Sequence, residues 1–194
     1  MICPNCDHEY EYPSKVEYPD TPEAEAPQPR AAVRVGFSTP KSFNPVSWLV
    51  RKFTGSRASH AFFVYHDADW DMDVVLEAHE LGIRLLPLAH FERTNRVVKL
   101  VTPKYPIDAG LAMVARSYLG STYDFLGLVG MAVVMVGRFL KRKWSNPFRG
   151  SKSVYCSESV ILAMLASPGY EKLDLDPDSS PEDTLAYYEK VEGA

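Results

Sequence analysis

Cys156 is the residue best placed in this sequence to act as a nucleophile. It stands in Ser-Val-Tyr-Cys-Ser-Glu-Ser-Val-Ile-Leu-Ala-Met-Leu, where apolar residues recur at helical spacing, so the pattern predicts a helix that begins at the cysteine. The unpaired N–H groups and the dipole at a helix N-terminus favour a thiolate, which lowers the thiol pKa and activates the sulfur. The alternative is a small buried hydrophobe, which is the commoner role of a lone cysteine.

His60 and Glu77 are the residues that could activate such a thiol. His60 opens a predicted strand, Ser-His-Ala-Phe-Phe-Val-Tyr, beside a Gly/Ser loop, and shares one strand face with Phe62 and Val64. Glu77 is a charge inside the apolar run Val-Val-Leu-Glu-Ala-His, which is unfavourable unless the carboxylate is paired. A carboxylate bonded to the imidazole would fix its tautomer and support an imidazolium. Taken alone, a histidine in this position is more often a structural one.

The N-terminal Cys-Pro-Asn-Cys-Asp-His has the spacing of half a zinc knuckle. Cys3 and Cys6 would be two ligands, and His8 is the only further candidate nearby, because the chain has no second CxxC. Zinc would therefore need a ligand from a partner chain or from elsewhere in this one. Otherwise the pair is an exposed dithiol. The chemistry expected at Cys156 needs no cofactor.

Charge and cysteine usage restrict the setting in which the protein works. Residues 1–30 hold two basic and seven acidic side chains, residues 171–194 two and eight, and the middle of the chain is about +7, which is too little for a nucleic-acid-binding surface. Three cysteines do not make a disulfide framework, so we expect synthesis in a reducing cytoplasm. No signal peptide is expected from the N-terminus. The sequence does not determine where the protein acts, and incorporation into a virion is one way for it to leave the cytoplasm.

The elements that must position these residues indicate an α+β domain over 31–194, preceded by a knuckle and a Pro/Glu-rich linker over 1–30. This N-terminal arm could dock on a partner protein. An antiparallel sheet packed with helices is the expected architecture. The predicted strands begin at Ala31 and cover 59–65, 73–80, 82–88 and 96–102, and the predicted helices cover 45–53, 107–119, the run after Cys156, and a short segment from Ser180.

The apolar stretch Phe125–Val136 allows two interpretations. It runs for about a dozen residues, which is short of the roughly 20 that a membrane-spanning helix needs. A helix buried in the domain is favoured. The alternative is a helix lying on a membrane, with the following basic cluster facing anionic headgroups. That cluster consists of Arg138, Lys141, Arg142, Lys143, Arg149 and Lys152.

Several of these segments together resemble a known family. Ser-His-Ala-Phe-Phe-Val-Tyr, Val-Val-Leu-Glu-Ala, Leu-Gly-Ser-Thr-Tyr-Asp-Phe, Val-Tyr-Cys-Ser-Glu-Ser-Val and Ser-Pro-Glu-Asp-Thr-Leu follow in the order of the circularly permuted NlpC-like papain-fold thiol hydrolases, the YiiX/YaeF-like group. In that group, as in the related lecithin:retinol acyltransferase-like enzymes, the histidine precedes the cysteine. The resemblance covers about residues 33–188 and rests on the ordered set of motifs.

This resemblance implies a permuted papain-like fold with the nucleophile at a helix N-terminus. It makes Cys156 the nucleophile, His60 the base and Glu77 the acidic third member. Tyr155 matches the family's aromatic residue before the cysteine and is a candidate substrate contact, and neighbouring backbone N–H groups are candidates for an oxyanion hole. His79 lies on the face of Glu77 and could take the third position instead.

The expected function is that of a thiol peptidase or amidase from a bacterium or phage. It would cleave an amide bond through a thioester acyl-enzyme, most naturally in the peptides of peptidoglycan. One alternative is an acyltransferase or lipid-processing thiol hydrolase at a membrane surface, with an acyl substrate. The other is a non-catalytic structural module of a phage tail or similar assembly.

Overall fold

The computed structural model describes residues 32–79, 82–119 and 154–191, together with scattered positions between 127 and 147. The predicted N-terminal knuckle and linker lie outside the described residues, as does most of the stretch Phe125–Val136 and of the basic cluster after it. The division of the chain at residue 30 therefore stays a prediction.

The described chain contains five strands and five α-helices of at least seven residues, most of them where the sequence pattern places them. In order they are β1 (Arg34–Pro40), α1 (Pro45–Thr54), β2 (His60–Asp67), β3 (Met72–His79), β4 (Gly82–Pro87), α2 (Leu88–Thr94), β5 (Asn95–Val101), α3 (Asp108–Tyr118), α4 (Cys156–Leu165) and α5 (Pro181–Val191).

The helix α2 is the one element that the sequence pattern missed. We predicted strands over 82–88 and 96–102 and no element between them, but β4 ends at Pro87 and a helical segment of seven residues follows. Pro87 has φ −58° and ψ 139° and stands at the N-cap of α2. A proline lacks the N–H that would continue the ladder, so the chain leaves the sheet there.

The five strands form one antiparallel sheet in the order β4-β3-β2-β1-β5. The predicted α+β class and the antiparallel sheet are therefore confirmed. β2 pairs with β1 and β3, so His60 and Glu77 come from neighbouring strands in the middle of the sheet. In the hairpin between β3 and β4, Glu77 lies directly opposite Arg84. Side chains directly opposite one another in antiparallel strands are close enough to interact.

The two faces of the sheet are covered differently, as the period of two in the strands predicts. Val35, Phe37 and Phe63 point to the main core, where they meet residues of α3, α4 and α5. Phe62 and Val64 point to the opposite face and pack with Phe91 of α2. The predicted alternation along β2 is thus confirmed. α4, which begins at Cys156, packs against β2 and β3 and is flanked by α3 and α5.

A close approach between α3 and α4 holds the cysteine-bearing helix in place. Gly110 is buried on α3, and a methyl group there would overlap the carbonyl of Ala163 on α4. The backbone N–H of Gly110 donates to Oγ of Ser167 over 3.2 Å, and that hydroxyl donates to the Ala163 carbonyl over 2.8 Å. The absence of a side chain at Gly110 is therefore what lets the two helices lie in contact.

Candidate active site

Cys156 is the first residue of α4 and is almost fully buried. The preceding residue, Tyr155, is extended, and its N–H donates to the Glu158 carboxylate over 3.4 Å. The hydroxyl of Ser157 donates to the carbonyl of Ser179 over 2.9 Å and ties the first turn to the segment before α5. These contacts fix the direction in which the helix N-terminus presents the sulfur.

The ring of His60 is the immediate neighbour of the Cys156 thiol, although the two residues are 96 positions apart in the sequence. The two side chains lie close enough for each to shift the pKa of the other. The backbone at Ala61 and Ser157 also lowers the pKa of the thiol. The imidazole lies roughly parallel to the Phe62 ring, with centroids 6.1 Å apart, and 6.3 Å from the ring of Phe91. Such packing restricts the rotation of the imidazole.

Glu77 holds the other side of the His60 ring. Its Oε2 lies 2.6 Å from Nε2 of His60, which leaves Nδ1 as the nitrogen that faces the thiol. Its Oε1 accepts from Nε of Arg84 over 2.8 Å and lies 2.6 Å from an Nη of the same guanidinium. Only 2% of the Glu77 side chain is exposed, so the carboxylate depends on these partners for its stability. The four residues form a continuous chain from Arg84 to Cys156.

The charges along this chain favour a thiolate–imidazolium pair. Burial by itself raises the pKa of Cys156, but the His60 ring and the nearby backbone outweigh it and hold that pKa below the ordinary value. Burial lowers the pKa of His60, yet the contacts with Cys156 and Glu77 raise it to about 10. Burial raises the pKa of Glu77, and His60 and Arg84 together lower it to about 2. At neutral pH the carboxylate and the imidazolium are therefore both charged.

The sulfur opens into a cleft of about 270 Å³. Its walls come from the end of β1, from α1, from the strand ends that carry the charged residues, and from the start of α5. The described residues that line it are Pro40, Ser42, Asn44, Val46, Ser47, Val50, Ser59, His60, Glu77, Ala78, His79, Arg84, Thr94, Asn95, Cys156 and Pro181.

Five of the residues singled out in the sequence lie at or next to this cleft. Cys156, His60 and Glu77 are in mutual contact in that order, and His79 lines the same wall. The position at Nε2 of His60 is occupied by Glu77, not by the reserve candidate His79. Tyr155 is buried, and its hydroxyl donates to the carbonyl of Pro177 over 2.8 Å, so it anchors the start of α4 instead of lining the cleft.

The remaining two predicted residues, Cys3 and Cys6, lie outside the described residues. A zinc site there stays a prediction. Within the described ranges, no group of three or more His, Cys, Asp or Glu side chains is arranged to hold a metal ion.

Sequence reasoning missed Arg84, although a readable pattern was present. A hairpin in which His79 pairs with Gly82 pairs positions whose numbers sum to 161, and this rule places Arg84 opposite Glu77. An arginine opposite Glu77 is the partner that the argument from burial of a charge required. The contribution of α1 to the cleft wall was missed as well, and no local feature of the sequence predicts it.

No protein-family model matches the chain, and neither does any curated protein. Among the helices that the structure describes, none is long and apolar enough to cross a membrane.

Proposed function

We propose that the protein is a cysteine-dependent hydrolase that forms a thioester acyl-enzyme on Cys156. His60 is the acid–base group, and Glu77 is the third member that orients it. The observation that supports this most is the continuous contact from Glu77 through His60 to a sulfur at a helix N-terminus inside a cleft. A buried structural cysteine needs neither an imidazole partner nor an open cleft.

In this mechanism the Cys156 thiolate attacks the carbonyl carbon of an amide and gives a tetrahedral oxyanion. The backbone N–H groups in the first turn of α4 are our candidates for stabilising that charge. The carbon–nitrogen bond then breaks as the His60 imidazolium gives its proton to the leaving nitrogen. Water next gives a proton to the neutral His60 and attacks the thioester. The carbon–sulfur bond breaks, and the acid, the thiolate and the imidazolium result.

For the fold we propose the circularly permuted papain-like arrangement that the ordered motifs resemble. The antiparallel sheet, the cysteine at the start of α4 and a histidine that comes earlier in the chain are compatible with it. A peptide amide, most naturally in peptidoglycan, is the substrate that follows from this resemblance. An acyltransferase differs only in the second step, where an amine or a hydroxyl group takes the place of water.

The test is to capture the acyl-enzyme. The chain with Cys3→Ser and Cys6→Ser, whose only thiol is Cys156, is incubated with activated acyl esters and with amide-linked muropeptides, then quenched in acid and examined by intact mass. We expect an acyl adduct that neutral hydroxylamine removes, as it does with thioesters.

The Cys156→Ser and His60→Ala variants are the matched controls, and both should lose the adduct. An adduct that survives in Cys156→Ser would contradict the assignment. Full biological activity in Cys156→Ala would indicate a structural module without thiol chemistry.

A further inference from the structure

Helix α1 exposes large apolar side chains that an ordinary surface helix would bury. On its inner side, Ser47 is buried, and its hydroxyl lies 2.6 Å from that of Ser59. On its outer side, Trp48 and Leu49 are 49% and 44% exposed. A helix of a soluble domain normally buries its apolar stripe and shows its polar one. The Ser47 hydroxyl therefore joins α1 to the segment before β2, while Trp48 and Leu49 remain about half exposed.

The apolar surface continues beyond the helix. Phe43, just before the N-cap residue Asn44, is 80% exposed, and Val46 in the first turn is 50% exposed. We call the four residues Phe43, Val46, Trp48 and Leu49 the apolar face of α1. Scattered exposed apolar residues are ordinary, but four large ones within seven positions of the chain concentrate apolar surface in one part of the domain.

Basic residues border this face, and acidic ones are missing from its stretch of sequence. Lys41 precedes the face and is exposed, and Arg51 and Lys52 stand in the last turn of α1, with Lys52 exposed. From Ala31 to His66 the chain contains no aspartate or glutamate. A helix that combines an outward Trp/Leu face with flanking lysine and arginine has the pattern of helices that lie in the interface of an anionic bilayer. A protein surface would have to be apolar and acidic to match the same pattern.

The apolar face meets the cleft at one residue, Val46. Ser42 and Val46 are exposed and at the same time line the cleft that contains Cys156. We propose that the apolar face of α1 docks on an anionic lipid surface and brings the mouth of the cleft to that surface. The docking itself does not depend on thiol chemistry. The consequence of docking for the reaction rests on the proposed function. If that function holds, the bond that is cleaved belongs to a membrane-anchored molecule.

The experiment is co-sedimentation of the full chain with vesicles of phosphatidylcholine alone and of phosphatidylcholine mixed with phosphatidylglycerol. We expect binding to the mixed vesicles that weakens with added salt, and little binding to the neutral ones. The double variant Trp48→Ser/Leu49→Ser should lower partitioning at least about tenfold, because both side chains insert in the bound state. Lys52→Glu should weaken binding to the mixed vesicles alone.

Trp70→Ser is the matched control. Trp70 is 69% exposed in the turn between β2 and β3 and lies outside the apolar face, so its loss should leave partitioning nearly unchanged. The melting temperature of each variant should equal that of the parent, since the substituted side chains are exposed. The proposal is overturned if no vesicle binds the parent, or if binding survives Trp48→Ser/Leu49→Ser, which would place the lipid contact elsewhere. A concentration-dependent dimer that this double variant abolishes, without vesicle binding by the parent, would also overturn it.

Alkylation of Cys156 separates this proposal from the proposed function. Trp48 and Leu49 are not among the described residues that line the cleft, so alkylation in the double variant should match that of the parent. Vesicle binding by a protein whose Cys156 reacts as an ordinary thiol would uphold docking and refute the hydrolase. If the parent binds no vesicles but its Cys156 is alkylated rapidly, docking is refuted and the hydrolase proposal stands.

Discussion

Glu77→Gln is the substitution that examines the chain of charges most directly. It keeps the shape of the side chain but removes the negative charge between His60 and Arg84. Among the described residues, the Cys156 thiolate is then the remaining anionic group that raises the pKa of His60. Because His60 and Cys156 stabilise each other's charged forms, a less stable imidazolium also makes the thiolate less stable. We expect the pKa of the thiol to rise towards its ordinary value.

The size of the effect follows from the pKa of Glu77, which is about 2 in place of 4.5. This difference corresponds to about 3 kcal/mol in favour of the ionised carboxyl in the folded protein. Both His60 and Arg84 contact the carboxylate, so we assign about half of this free energy to the contact with the imidazolium. The resulting 1 to 2 kcal/mol corresponds to roughly tenfold slower alkylation of Cys156 below the ordinary thiol pKa.

The assay is the rate of iodoacetamide modification between about pH 4 and pH 10, followed by intact mass in the background with Cys3→Ser and Cys6→Ser. The parent should react well below the ordinary thiol pKa. Glu77→Gln should shift the profile to higher pH by about one unit, since a tenfold effect is one unit on that scale. Glu92→Gln, an exposed glutamate on α2 that is not among the described residues lining the cleft, is the control and should leave the profile in place.

The same variant makes a prediction for acid stability. A carboxyl whose pKa is lowered by folding stabilises the folded state above its unfolded pKa, 4.5, and this contribution is lost as pH falls towards about 2. The parent should therefore lose melting temperature over that range, and Glu77→Gln should lose less.

If the alkylation profiles of the two proteins coincide, and His79→Ala moves the profile instead, the assignment of Glu77 is wrong.

Three further outcomes are expected. Arg84→Gln should shift the alkylation profile in the same direction as Glu77→Gln but by less, because the His60 contact survives; a shift to lower pH would contradict this. A chain beginning at Ala31 should melt within a few degrees of the full chain in calorimetry, since proline-rich acidic segments bury little apolar surface; a large drop would make the N-terminal arm a structural strap. Gly110→Ala should cost on the order of 2 kcal/mol in urea unfolding, because the added methyl separates α3 from α4; an unchanged midpoint would refute the close approach.

Local patterns were enough to locate most of the described secondary structure. The alternation along β2 and the periodic run after Cys156 depend only on which residues prefer burial, so they can be read from neighbouring positions. The prolines at 45 and 181 begin the helices α1 and α5, as expected from the fixed φ of proline and its missing N–H. Helix α2 was missed because its seven residues bury only Phe91, which is too short a pattern for a helical period to be recognised.

The sequence by itself determined the candidate nucleophile at a helix start and the need for a partner at Glu77. These follow from the chemistry of single residues in their local patterns. Only the tertiary structure decided that Glu77, and not His79, contacts the His60 ring, because both lie on the same strand face and the choice depends on the position of β2 relative to β3. It also decided that Trp48 and Leu49 on α1 stay about half exposed. A helical pattern shows that a stripe exists, but the contacts of its neighbours determine which side the domain covers.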